Sequence, residues 1–443
     1  MIPPPPLPRC PSEAELTQTL RRWEDEARAF TAEVGDLVDD VELYLRHTSL
    51  RGWRFEAQQL QPLSPPAQGE CYMRLFRGGH TVWGRFPLAP KQWKLGAQEL
   101  LRAFPKTSVG FYRPPPPRHL HPRPTSFDPR MHEQLGDPLR LQRVAYALSD
   151  NTWHEGERFA GMQSAEGRLA LHVSHRVVCN LQGSVSDSKV SLEASVRINQ
   201  CFEDTRHALF CPGSFLPWAL TGATLWRKRA AHQPAPHLNA GYRDVILHPR
   251  ILEKLLRARL PLVCTHKHFE PNAQVGSPAL TLSHEPKADG MVESAPFDDL
   301  GRPREPTQMI TQGALTAPFA IDPLCAEWSP QGLRPRLMNF FVRPGQVSHA
   351  ELLQRAPHTI QVENALIEPV GDLGPNAFTL RLTEALTTDG QLVPPNRYRL
   401  SGTIASTAEG PGLLEALELS REVIDTGSAL LPFARCSLYL HPA

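Results

Sequence analysis

Nowhere in the 443 residues does an apolar run approach the roughly 20 residues that a membrane-spanning helix needs. The opening Met1-Ile2-Pro3-Pro4-Pro5-Pro6 lacks both the basic start and the apolar run of a secretory signal. A cytoplasmic protein is the expectation. Excess charge is missing as well: 47 Lys+Arg stand against 46 Asp+Glu. A formal charge of +1 gives no field for nucleic acid or an anionic membrane. The eight cysteines lie far apart, the nearest pair being Cys201 and Cys211, so there is no CxxC pair for zinc or redox work. They read as reduced, buried thiols.

The chain has enough apolar material to fold, with 41% hydrophobic residues against 21% charged. Its length exceeds what one hydrophobic core usually organises. Proline is the compositional excess at 45 residues, clustered at Pro3–Pro8 and Pro114–Pro124. These clusters read as a flexible tail and a stiff spacer. The predicted organisation is a tail at 1–12, an N-terminal α/β region at 13–112, a proline-rich linker at 113–127, a second part of that lobe at 128–235, and a β-rich C-terminal domain at 236–443.

Local patterns predict the elements. Ser12 and Glu15 have capping-box spacing ahead of Leu16, Leu20, Trp23, Ala27 and Phe30, which predicts an amphipathic helix. Val41, Leu43 and Leu45 alternate as a strand does, and Tyr72–Phe76 and Thr81–Phe86 flank Gly78-Gly79 as a hairpin. A second helix is expected at about Lys91–Phe104, and another opens at Asp137-Pro138 and runs through Leu141, Val144, Ala145 and Leu148. Leu169–Val173 and Val190–Ile198 alternate again. Helices are expected at Pro249–Arg259 and His349–Gln354, and strands at Phe378–Leu382, Tyr398–Ile404 and Leu438–Leu440. The fold class is α+β, an N-terminal α/β region with an antiparallel sheet and helices followed by a β-rich C-terminal domain.

Chemistry is harder to find. A zinc peptidase needs two imidazoles one helical turn apart beside a glutamate. His132-Glu133, His154-Glu155 and His284-Glu285 are each followed by residues that supply no second histidine. The best remaining metal candidate is Cys264, His266, His268 and Glu270, which strand alternation would point to one side; Lys267 adds positive charge there, no downstream ligand is identifiable, and four polar side chains along a strand edge are more often simply solvated. Gly213-Ser214 lacks the second glycine of a hydrolase elbow. His172 and His175 would face opposite ways on a strand. Asp298-Asp299 and Glu203-Asp204 read as loop pairs that cap or solvate turns. No catalytic residue can be named, nor any contact to a substrate.

Several segments resemble the TldD/PmbA family of modulator-of-gyrase peptidases, in its TldE-like branch. The clearest is Ser294-Ala-Pro-Phe-Asp-Asp-Leu-Gly-Arg-Pro303, followed by Met309-Ile-Thr-Gln-Gly313. Asn339-Phe-Phe-Val-Arg-Pro-Gly345 with Ser348, Glu351 and Leu352, the Tyr72–Phe86 hairpin and the Asn180–Gly183 turn are similar too. In catalytic members, the strand and helix corresponding to Asp244–Leu260 carry the zinc motif. Here Arg257 and Ala258 fall where the first histidine and the glutamate would stand, and Leu262 near the second histidine. The resemblance thus implies a heterodimeric metallopeptidase complex, in which this chain is a pseudoenzyme that helps enclose unfolded peptide for proteolysis. Zinc is expected in a TldD-like partner bearing HExxxH and not in this chain. The alternatives are an independent metal-dependent hydrolase using His266 and His268, and a stand-alone peptide-binding scaffold, as a homodimer if no partner exists.

Overall fold

The computed structural model describes residues 9–56, 59–104, 128–140, 142–143, 145–146, 165–198, 202–208, 235, 237–263, 272–320, 324–355, 358–368, 376–406 and 411–443. The chain starts with helix α1 (Glu13–Gly35), where Ser12 and Glu15 cap each other's backbone reciprocally, as their spacing requires. Strands β1 (Asp40–Glu56), β2 (Gln59–Leu63), β3 (Gln68–Arg77) and β4 (His80–Pro87) follow, then α2 (Pro90–Ala103) and α3 (Pro129–Leu135). The β3–β4 turn places Gly78 and Gly79 at φ 57° and 80°, a region open to glycine at little steric cost. Residues 138–140, 142–143 and 145–146 are helical after Asp137-Pro138, while Leu141, Val144 and Leu148 lie outside the described residues, as does the proline-rich stretch.

Strands β5 (Ala165–Asn180), β6 (Gly183–Ile198) and β7 (Phe202–Ala208) do not form a separate layer. They extend the first sheet, whose order is β4-β3-β1-β5-β6-β7 with β2 on the far part of β1. Every pairing in it is antiparallel. Glu203 and Asp204, expected in a loop, sit instead in β7 opposite Arg197 and Val196 of β6. Their polarity misled because an edge position in a sheet tolerates charge.

The two faces of this sheet differ sharply. On one, Val41, Leu43 and Leu45 of β1, Met73 and Leu75 of β3 and Val177 of β5 are all buried beneath Ala27, Phe30 and Val34 of α1 and Trp93 and Leu100 of α2. On the other stand Glu42, Tyr44 and Arg46, then Tyr72 and Arg74, Arg176 and Asp187. Period-2 alternation therefore gives a helix-covered apolar face and a charged face.

The charged face is covered by the rest of the chain. Strand β8 (Gly241–Leu247) leads into α4 (Pro249–Val263), and then come β9 (Leu282–His284), β10 (Thr307–Thr311), β11 (Ala314–Leu315), β12 (Cys325–Ser329), β13 (Gly332–Arg336), β14 (Phe340–Val342) and α5 (His349–Gln354). The chain ends through β15 (Ile360–Glu368), β16 (Ala377–Thr387), β17 (Tyr398–Thr403), the short α6 (Leu413–Ala416), β18 (Glu418–Asp425) and β19 (Ala429–Pro442). Ten of these strands form one mixed sheet, ordered β11-β10-β9-β14-β19-β17-β16-β15-β8 with β18 on β19. Because β8 also pairs with β19, the path β8-β19-β17-β16-β15 closes on itself. Closure removes the free edges of those strands. Helix α4 packs on β19, β15 and β8, with Ile251, Leu252, Leu255, Leu256 and Leu260 wholly buried in the main core.

Strands β12 and β13 pair only with each other and dock on the first sheet. Trp328 of this hairpin stacks on Tyr72 with ring centroids 5.3 Å apart and lies 5.6 Å from Trp83. Phe297 joins Tyr44, Tyr72, Val178 and Val185 in the same cluster. Aromatic contact of this kind adds to the plain burial of area. No helix among the described residues is long and apolar enough to cross a membrane.

Candidate functional site

The polar chemistry of the molecule concentrates where the charged face of the first sheet meets the loop 293–304 and the β12–β13 hairpin. The loop organises itself around Asp298, whose side chain is fully buried. One of its oxygens accepts from the backbone N–H groups of Leu300 (3.1 Å) and Arg302 (2.9 Å), and the other from Ala326 N–H (2.9 Å), the Arg302 guanidinium (2.8 Å) and Arg304. A buried carboxylate is tolerable only when so many donors surround it. Gly301 follows at φ 73°, which a side chain rarely adopts.

Asp299 points across to the first sheet. It accepts from Trp328 N–H at 2.9 Å and lies 3.7 Å from Arg176, whose guanidinium also grips Asp187 at 2.7 Å and covers the Phe297 ring at 4.9 Å. Burial raises the Asp299 carboxyl to about 6 against the pull of Arg176, and burial likewise raises Glu42 to about 6 despite its ion pair with Arg74. Asp298-Asp299 therefore caps a turn, as expected, but it is not solvated: the pair is buried and ties the loop and the β12–β13 hairpin to the first sheet. Arg176, 123 positions upstream by subtraction from Asp299, is the partner that local pattern could not supply.

A second chain of charges starts on α4. Arg257 bonds Glu253 one turn back (2.9 Å), the carbonyls of Leu337 (2.7 Å) and Ser428 (2.9 Å), and Glu293 (2.6 Å), and its plane lies 5.0 Å over Phe340. Ser428 Oγ donates to Glu253 at 2.6 Å. Glu293 continues to Arg336 at 2.8 Å, and Arg336 to Glu327. Burial would raise Glu293, yet Arg336 and Arg257 outweigh it and hold the carboxyl below its usual range. Across from Glu293 and Arg336, on β6, stands Lys189, whose ammonium is lowered to about 8 by burial and then by Arg176.

Arg257 is the residue that the resemblance puts in place of a first zinc ligand, and all three of its guanidinium nitrogens are committed to protein oxygens. A permanently charged group that only donates cannot ligate a cation. The residues around it do not fit a metal ion, and among the described residues no three His, Cys, Asp or Glu side chains stand close enough to hold one. Cys264, His266, His268 and Glu270 lie outside the described residues, as do Gly213-Ser214 and His154-Glu155. Leu262 belongs to the last turn of α4.

Three further histidines are engaged within the fold. His172 bonds Glu193 at 2.8 Å on the charged face, and His175 bonds Ser188 at 2.6 Å beneath α1, so the two do point to opposite faces. His284 is completely buried on β9, its Nε2 3.9 Å from the Cys325 thiol. Burial, with Arg304 and Arg257 nearby, depresses it to about 3, while burial pushes Cys325 up to about 12. A neutral imidazole beside a protonated thiol is the reverse of a nucleophilic pair.

Comparison with known proteins supplies the remaining observation. Residues 242–411 match the model of the PmbA/TldA metallopeptidase C-terminal domain. Over this stretch the chain is similar to the C-terminal domain of the TldD/PmbA family. Likeness of fold to solved structures covers most of the chain. TldE from Thermococcus kodakarensis superimposes with a TM-score of 0.71 at 12% identity, over 94% of this chain and 99% of that one. A protein described as a modulator of a DNA gyrase from Thermotoga maritima gives 0.70 at 16% identity over 95% and 100%. A counterpart described likewise from Bacteroides thetaiotaomicron gives 0.70 at 13% over 98% and 100%. Comparison with the curated proteins finds no match. The chain shares with those structures the mixed α+β architecture. Lys189 and Arg176 went unnoticed in the sequence, although charges in alternate positions of β6 at Asp187, Lys189 and Glu193 mark a face that is not simply solvated.

Proposed function

We propose that this chain is a TldE-like, non-catalytic member of the TldD/PmbA family, a subunit that joins a TldD-like subunit bearing HExxxH and helps it enclose unfolded peptide for cleavage at that subunit's zinc. The observation that carries the reading is the saturation of Arg257. Where the resemblance puts a metal ligand, the helix presents a cation whose donors are taken up by Glu253, Glu293 and two carbonyls. A site of that kind stabilises its surroundings and has no group to activate water.

The chain's contribution is then wall and interface. An unfolded peptide can bind such an enclosure through its main chain by adding to sheet edges, which is tolerant of sequence, and selection falls on what can enter. The test is co-expression with a subunit carrying HExxxH, followed by metal analysis and a peptide-cleavage assay of each chain and of the mixture. Cleavage is expected only from the mixture, with zinc stoichiometric to the partner. Peptide hydrolysis by the purified chain, lost on replacing His266 and His268 by alanine, overturns the reading in favour of an independent hydrolase.

A further inference from the structure

In the ten-stranded sheet, β14 buries Phe340 and Val342 in the core and turns Phe341 to the opposite face. Register sets Gln308, Ser283, Phe341 and Leu430 side by side on that outer face, across β10, β9, β14 and β19. Two cavities open there, of about 250 Å³ and about 460 Å³, and they share Thr281, Arg343 and Pro344, so they form one groove. Its halves differ in chemistry. The smaller is lined by Phe341, Pro344, Val423 and Leu430, with Val423 41% exposed, and the larger brings in Ser277, Gln312 and Gln346. Arg343 stands where the halves meet and is exposed. Glu418, the one carboxylate lining the groove among the described residues, is neutralised by Arg355 and Arg435.

The walls are held by backbone contacts. Gly345 N–H donates to the Ser420 carbonyl (2.9 Å) and Arg421 N–H to the Val347 carbonyl (2.7 Å), which presses residues 345–347 against the irregular stretch of β18 between Leu419 and Val423. A Cβ on Gly345 would collide with the Leu419 carbonyl, so only glycine allows this approach. On the other side Gln312 is kept at φ 49°, unfavourable for a residue with a side chain, its N–H donating to Thr281 Oγ1 (3.1 Å) and its carbonyl accepting from Gln274 Nε2 (3.3 Å). A groove fixed in this way is formed before a ligand arrives.

We propose that this groove binds a monocarboxylate bearing an apolar group, the carboxylate on the Arg343 guanidinium and the hydrocarbon against Phe341, Val423 and Leu430. The inference goes beyond the proposed function and does not depend on it. One guanidinium matches the two oxygens of a carboxylate, whereas a phosphate dianion would meet a single free cation. An apolar cavity of about 150 Å³ already holds benzene, so the smaller half has room for a phenyl or isobutyl group. The ligand is either a free small acid or the C-terminus of a peptide ending in an apolar residue.

Isothermal titration of the full chain with phenylpropionate, its primary amide and acetate tests both halves of the groove, and acetyl-Gly-Leu with its amide tests the second source. An acid with an apolar group is expected to bind at least about tenfold tighter than its amide, the range of one charge-assisted hydrogen bond, and tighter than acetate by a similar factor. Binding of the dipeptide acid alone assigns the site to a peptide terminus, binding of phenylpropionate alone assigns it to a small acid, and binding of both shows that carboxylate and hydrocarbon suffice. Arg343→Met should abolish the preference for acid over amide, Arg343→Lys should keep part of it, and Val423→Asp should remove the advantage over acetate. Both positions are exposed, so each variant should melt with the parent. On unmutated protein, phenylglyoxal followed by peptide mapping should modify Arg343, and the acid that binds should protect it. Amides that bind as well as acids, a preference that survives in Arg343→Met, modification undiminished by ligand, or no binding of either acid at millimolar concentration overturns the inference and leaves the proposed function standing.

Discussion

Replacing Arg257 by Met removes one cation, leaving Glu253 with the Ser428 hydroxyl and Glu293 with Arg336, in a setting where both carboxylates are largely screened from water. Breaking a buried pair costs about 3 kcal/mol or more when the remaining charge is uncompensated, and about 1–3 kcal/mol is expected here because both carboxylates keep a partner. Urea unfolding of Arg257→Met should show that loss, and adding Glu293→Gln should recover part of it. A fall of less than about 0.5 kcal/mol, the range of an ordinary surface change, would mean that the arginine holds nothing together. His284 gives a residue-scale pH dependence. Its folded pKa of about 3 lies below the value of 6.5 for a free imidazole. The unfolded chain therefore binds a proton below 6.5 that the folded chain refuses, and its contribution to stability, complete above pH 6.5, drains away as pH falls toward 3. His284→Leu should flatten the stability profile between those values in denaturant titrations at fixed pH; an unchanged slope would refute the assignment. At this scale the sequence was only half legible. The loss of a zinc ligand at position 257 could be read from the resemblance, but not what Arg257 does instead, because its acceptors Leu337 and Ser428 arrive from 80 and 171 positions away. The acidic pair Asp298-Asp299 was visible as turn chemistry and invisible as a tie to Arg176.

Elements were easier to foresee where their signals are local. The capping boxes at Ser12 and Ser348 start α1 and α5 where their spacing says they should, and the glycine pair makes the β3–β4 hairpin. Strand β7 escaped detection, since its acidic residues imitate a loop. The role of the β12–β13 hairpin was also hidden: it reads as one short β-like segment among many, and only its long-range stacking on Tyr72 and Trp83 reveals a clasp. Trp328 is 5% exposed there. Its replacement by Ala should cost about 3–5 kcal/mol, the usual range for a buried Trp, and should speed protease cutting within 325–336. Unaltered cleavage in that segment would show that the hairpin is held by its ion pairs alone.

For the whole molecule, composition and alternation led to the α+β class, and the likeness to the TldD/PmbA family was legible from short motifs spread along the chain. Pairings between distant strands were not. Strand β1 meets β5 from Glu42 opposite Asn180 to Glu56 opposite Glu166, across a segment of the chain that no periodicity bridges. The same holds for β8, whose register with β19 joins residues 241–247 to 434–440. That ring of strands has a consequence for synthesis. Roughly 190 residues separate the two partners, so at about 5–20 residues per second a ribosome leaves one side of β8 waiting on the order of ten to forty seconds. During that interval the nascent chain offers a bare strand to any neighbouring polypeptide, and slower initiation or added chaperone should raise the yield of native protein more than any change in the finished fold.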